Sequence, residues 1–142
     1  MIKLLVPVDG SEHAQRAVDQ AVSFAANSKQ AVELHLLNVQ PPIVSGRAQA
    51  VVGREAVDAY YREEGEKALA AARARVAAAG LASVHHISIG PVAETIAAYV
   101  RDRGCMQVIM GTRGLGAISG LLLGSVATKV LHLVKVPVTL VS

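Results

Sequence analysis

Between an apolar run and a helix-forming segment lies Gly111-Thr112-Arg113-Gly114-Leu115-Gly116-Ala117-Ile118-Ser119-Gly120-Leu121-Leu122-Leu123-Gly124-Ser125, with five glycines in residues 111–124. Glycine lets backbone N–H groups approach an anion closely, and a helix N-terminus adds partial positive charge. A phosphate held there gains about 0.3–2 kcal/mol from the helix dipole, and the Ser125 hydroxyl adds a donor. The charge pattern points the same way: Asp102 is the last acidic residue, and Arg103, Arg113, Lys129 and Lys135 follow it. The competing reading is a glycine-rich surface loop that binds nothing. The run free of negative side chains favours an anionic ligand.

Three phosphate-binding motifs fail on inspection. A P-loop needs a Gly-Lys pair, and the chain has none. Gly114, Gly116 and Ser119 nearly meet the dinucleotide fingerprint. They follow the fourth predicted strand instead of the first, however, and no acidic residue stands downstream. The catalytic-loop and Asp-Phe-Gly signatures of protein kinases are absent.

Other reactive side chains are scattered. His85 and His86 are adjacent in a predicted strand and point to opposite faces. His13, His35 and His132 lie in separate elements, and no Cys/His spacing suits zinc. Cys105 opens an apolar run and reads as a packed thiol with no activating base nearby. No Ser-His-Asp order or metal-ligand cluster supports an enzyme. At most, slow hydrolysis by positioning alone is expected. Asp9 ends the first apolar run, either as a helix-start residue or as a strand-end carboxylate accepting ligand hydrogen bonds.

The elements that must position these residues are read from periodicity. Lys3–Val8, Val32–Val39, Val84–Ile89, Gln107–Met110 and Val136–Val141 are short runs rich in Val, Ile and Leu. Such runs mark strands covered on both faces of a parallel sheet. Ala14, Ala17, Val18, Ala21, Val22 and Ala25 share one helical face after a Ser11 cap. Helices are also predicted from about Glu55 to Ala79, from Gly90-Pro91 to Gly104, and from Gly124-Ser125 onward. Gln40–Arg54, with Pro41-Pro42, Ser45, Gly46 and Gly53, reads as a mobile loop. Strict alternation of strand and helix predicts one α/β domain over residues 1–142, with right-handed crossovers.

Composition narrows the function. The chain has 142 residues, 52% hydrophobic and 3% aromatic, with a formal charge of +3. Phe24, Tyr60, Tyr61 and Tyr99 are too few for a base-stacking nucleic-acid binder, and the charge is too spread for a DNA-binding face. No segment approaches the roughly 20 apolar residues of a membrane span, and a single cysteine fits a reducing cytoplasm.

Gly111-x2-Gly114-x9-Gly124-Ser125 resembles the motif of the ATP-binding universal stress proteins. Leu5-Val6-Pro7-Val8-Asp9-Gly10-Ser11, Gly90–Ile96, Leu121–Val130 and Val136-Pro137-Val138 are similar to that family's other signature segments, so the resemblance spans nearly the whole chain. It implies a five-stranded parallel sheet of order 3-2-1-4-5 with helices on both faces, the adenine nucleotide alpha-hydrolase-like fold. Ligands of such sheets bind at the switch point, here between strands one and four. The resemblance places Pro7, Val8, Asp9 and Val39 around adenosine, with Met110 also in the cofactor-binding set. Gly111, Gly114, Gly124, Ser125 and Val126 would line ribose and phosphates. It implies ATP or another adenine nucleotide, with Mg2+ held mainly by the phosphates, and a homodimer through the C-terminal strand. Ser119-Gly120 stand where many members carry a basic residue.

Overall fold

The computed structural model describes residues 1–42, 46–115 and 122–142. In chain order the elements are β1 (Ile2–Pro7), α1 (Glu12–Ala26), β2 (Val32–Gln40), α2 (Gly46–Val52), α3 (Arg54–Ala78), β3 (Ala82–Ile89), α4 (Val92–Arg103), β4 (Gln107–Gly111), α5 (Ser125–Leu133) and β5 (Val138–Val141). The five strands form one parallel sheet of order β3-β2-β1-β4-β5. This is the sheet order expected above.

Alternation along each strand splits the core into two layers. Leu4, Val6, Leu34, Leu36 and Ile109 face one side, where Val18 and Ala21 of α1 and Leu69 and Val76 of α3 cover them. Leu5, Leu37, Val108 and Met110 face the other, against Ile96 and Val100 of α4 and Val130 of α5. With almost no aromatics, Ala14, Ala17 and Ala21 let α1 lie close to the sheet. The Ser11 side chain accepts from Ala14 N and caps α1 as its sequence predicts. Gly104, at φ 68°, ends α4 in the left-handed region. Cys105 is buried, and burial pushes its thiol pKa up.

Two expectations need correction. Gln40–Arg54 is not one loop: Gly46–Val52 is a short helix, and α3 already starts at Arg54. Arg47–Val52 contains neither Gly nor Pro, and Gly53 at φ 90° makes the joint between the two helices. The last strand begins at Val138 and not at Val136. Pro137 stands before it and contributes only its carbonyl, which accepts from Val108 N at 3.0 Å.

A buried polar network lies on the side of the second layer. His35 is 3% exposed, with Nε2 2.8 Å from Glu33 Oε1 and Nδ1 2.7 Å from the Tyr99 hydroxyl. A carboxylate only accepts, so Nε2 carries a proton, and in the neutral ring the Tyr99 O–H donates to Nδ1. Burial, opposed by the nearby Arg103, pushes the Tyr99 phenol up to about 12. Burial first, then the positive charge of Arg103, hold His86 below its usual range.

Candidate functional site at the sheet switch point

Helices α1 and α3 cover one face and α4 and α5 the other, so the chain leaves β1 and β4 in opposite directions. A crevice must open between their C-terminal ends. A cavity of about 800 Å³ occupies that place, within the usual size of small-molecule sites. All ten residues singled out from the sequence line it: Pro7, Val8, Asp9, Val39, Met110, Gly111, Gly114, Gly124, Ser125 and Val126. Strand ends supply the first six, and the glycine segment and the start of α5 supply the rest. Ser119 and Gly120 lie outside the described residues.

Asp9 fastens the two sides of the crevice together. Its Oδ1 accepts from Ser11 N at 2.9 Å, and its Oδ2 accepts from Leu115 N at 3.0 Å. Asp9 therefore shapes the turn into α1, as the helix-start reading has it, and it also reaches across to the segment after β4. Amide bonds to a carboxylate are among the stronger hydrogen bonds.

The glycines have different neighbours. A Cβ on Gly111 would lie 2.8 Å from His13 Cβ and 2.9 Å from the His13 carbonyl carbon, so this glycine admits α1. A Cβ on Gly114 would run into Asp9 Oδ2, so this one admits the carboxylate. Among the described residues a Cβ at Gly124 would meet only ordinary contacts, 3.5 Å from Arg113 Cα and Thr112 O, and nothing among them requires a glycine there.

One end of the cavity is electropositive. Helix α5 has Gly124 at its N-cap and no side-chain cap, so its first N–H groups have no capping side chain among the described residues. Its first turn carries no acidic residue, and Arg113 lines the cavity without a carboxylate partner among the described residues. Lys129 is exposed on the helix and is not among the lining residues.

At the opposite end, beyond β2, the sequence pointed only to Val39. Asn38, Gln40 and Pro41 line this end, and Tyr60, Glu64 and Lys67 of α3 close over it. Asn38 is 4% exposed and donates from Nδ2 to Val8 O at 2.9 Å. Asn38 and Gln40 interrupt the apolar second half of β2, and that local signal was available. Nothing in the spacing of α3 reveals that Tyr60 reaches this end.

A parallel sheet of order 3-2-1-4-5 with a cavity at its switch point defines an open-sheet α/β protein. The chain belongs to the universal stress protein family, whose model matches residues 1–142. It is 29% identical to universal stress protein YxiE of Bacillus subtilis, covering 98% of this chain and 97% of that protein. The fold matches universal stress protein UspA from Lactobacillus plantarum with a TM-score of 0.83 at 25% identity, covering 99% and 97% of the two chains. It also matches a universal stress protein solved in complex with cAMP, with a TM-score of 0.73 at 27% identity and 99% and 97% coverage. Among the described residues no helix is long and apolar enough to cross a membrane.

Proposed function

We propose that the switch-point cavity binds an adenine nucleotide, ATP in the first place, and that the protein is a cytoplasmic, nucleotide-responsive module of the stress response. The observation that carries this reading is the single cavity joining the β1 end, the glycine segment and the start of α5. That a universal stress protein of this fold binds cAMP supports it. Pro7, Val8, Asp9, Val39 and Met110 then hold adenosine. Gly111, Gly114, Gly124, Ser125 and Val126 hold ribose and phosphates. The helix N–H groups at the start of α5, the Ser125 hydroxyl and the Arg113 guanidinium suit a polyphosphate. Among the described residues no cluster of His, Cys, Asp or Glu is arranged to hold a metal, so Mg2+ would be held mainly by phosphate oxygens. Of the carboxylates lining the cavity, Asp9 is engaged by Ser11 and Leu115 and Glu64 sits on α3, so the reading assigns no hydrolysis.

The decisive measurement is the nucleotide released by acid from freshly purified protein. Near-stoichiometric adenine nucleotide is expected. An empty protein whose melting does not respond to ATP and Mg2+ would overturn the reading, and would leave an interaction protein of the same fold.

The reading includes a homodimer. β5 is an edge strand paired only to β4, through Val108↔Val138 to Gly111↔Val141. It carries no charged residue from Val138 to Val141. An uncharged edge invites pairing with another strand, and a two-fold axis would close the assembly. Sedimentation at micromolar concentration should give twice the chain mass; the mass of one chain rejects the dimer.

A further inference from the structure

A file of reactive side chains runs from β2 to α4, and none of its members lines the switch-point cavity. Glu33 Oε1 lies 2.8 Å from His35 Nε2, and His35 Nδ1 lies 2.7 Å from the Tyr99 hydroxyl. With Nε2–H given to the carboxylate, the neutral ring keeps Nδ1 as a base in contact with the phenol O–H. Hydroxyl, base and orienting carboxylate stand in the order that lets a base take a proton and a third group steady the charge it acquires. The 2.7 Å spacing is within the reach a proton acceptor needs. A phenol that burial pushes up to about 12 is a poor acid and a poor nucleophile. Loss of one electron reverses that, because a phenol radical cation is a strong acid and gives its proton to the nearest base.

The ring is within reach of small reactants. Tyr99 is half-buried and lines a groove of about 240 Å³ with Ser88, Thr95, Ala98, Asp102 and Arg103. The Arg103 guanidinium stands over the ring, 5.4 Å from its centroid, and His86 packs at an angle against it. Beside that cation a ring that kept its proton would be a repelled radical cation, so the proton must leave with the electron. His35 is placed to take it, and Glu33 pairs with the imidazolium that forms, which leaves no unpaired charge in the layer.

We propose that Tyr99 is a one-electron oxidation site, with His35 as its proton acceptor and small radical oxidants, of the carbonate radical and nitrogen dioxide class, as its reactants. Nothing in it depends on what the switch-point cavity binds. Carbonate radical takes one electron from the phenol and becomes carbonate. The phenol O–H bond breaks, its proton goes to His35 Nδ1, and a neutral phenoxyl radical remains. His35 then releases the proton to carbonate in solvent, which leaves as hydrogen carbonate. Nitrogen dioxide joins the phenoxyl by a C–N bond at a ring carbon ortho to the oxygen. The hydrogen on that carbon leaves as a proton, the oxygen takes a proton up, and the product is nitrotyrosine.

Two nitrating reagents, applied to the full chain, separate proton transfer from exposure. Peroxynitrite in bicarbonate buffer supplies both radicals, whereas tetranitromethane attacks the phenolate. Tyr60 is 42% exposed and Tyr61 5%, so exposure alone would have either reagent nitrate Tyr60 first. Peptide mass spectrometry should instead find the peroxynitrite product first on Tyr99. Tetranitromethane should reach Tyr99 only after Tyr60, because burial holds the Tyr99 phenol up to about 12. His35→Gln keeps an acceptor for the O–H but no base. It should cut nitration of Tyr99 by peroxynitrite about a hundredfold and leave the tetranitromethane order unchanged. Glu33→Gln removes only the steadying charge, from a side chain that is 26% exposed, and should cut it about tenfold. Far-UV circular dichroism checks the fold of each variant, and Glu33→Gln decides alone if His35→Gln does not fold. Tyr60 nitrated ahead of Tyr99 by peroxynitrite, or undiminished Tyr99 nitration in a folded variant of either kind, overturns the proposal.

Discussion

Alanine at position 111 and alanine at position 124 should have opposite fates, although both glycines belong to one motif. At Gly111 the added Cβ would sit 2.8 Å from His13 Cβ and 2.9 Å from the His13 carbonyl carbon. The second neighbour is helix backbone and cannot rotate away, so α1 must shift from β4. Overpacking of this kind costs roughly 1–3 kcal/mol. For a chain of this length that is a fall of roughly 3–10 °C in Tm. At Gly124 the Cβ would meet contacts at 3.5 Å, and φ is −78°, which any residue adopts. Alanine there gains about 0.4–1 kcal/mol through a less flexible unfolded chain. It loses some tenths of a kcal/mol, about the same size, as an N-cap residue. The two changes nearly offset. Urea melts followed by far-UV circular dichroism, without nucleotide, measure both variants, since the chain has no Trp to report by fluorescence. An unchanged midpoint for Gly111→Ala, or a large loss for Gly124→Ala, would refute the assignment of these glycines.

Gly124→Val should fold normally and fail to bind ATP, because the larger side chain fills the approach to the start of α5; a folded variant with wild-type affinity refutes the placement of the phosphates. Asn38→Ala should destabilise the protein by about 1–3 kcal/mol, as it leaves Val8 O buried without its donor, and the same urea melts check it. In alkali, a Tyr99 phenol that ionises only near 12 while folded makes the native state lose stability as pH rises from 10 towards 12, since the unfolded phenol ionises first. Ultraviolet titration should show one tyrosine ionising last, and Tyr99→Phe should remove that step. In mild acid, His86 is held below its usual range, so stability should fall as pH drops below 6.5, where the unfolded chain takes up the proton first; His86→Ala should flatten that slope.

The sheet was legible because burial on both faces writes runs of Val, Ile and Leu into the inner strands: β1 and β4 follow that rule closely, whereas β2 interrupts its Leu and Val with Glu33, His35, Asn38 and Gln40. Helix α1 announced itself through Ser11 and six apolar positions on one face. Helix α2 did not, since Pro41-Pro42, Gly46 and Gly53 around it are turn residues and only a few helix formers lie between. The start of β5 was placed two residues early because Val136 is apolar but pairs with nothing in the sheet. At the site, the β1 turn and the glycine segment were found by residue type, and the strand order joined them. Tyr60 was not, because a residue near the start of a 25-residue helix reaches the cavity only through how α3 lies across β2 and β3.

The motif Gly-x2-Gly-x9-Gly-Ser therefore mixes two kinds of requirement. Gly111 is fixed by the approach of α1, and Gly114 by the carboxylate of Asp9, before any ligand is considered. Those two close the switch point: one lets the helix after β1 lie against the end of β4, and the other lets the turn after β1 bond to Leu115. A chain could keep both and bind nothing. Gly124 and Ser125 are different, because among the described residues there is room for a side chain at 124 and no side chain caps α5. What asks for a small residue there is the space in front of the helix N-terminus, and that space is where a phosphate would lie.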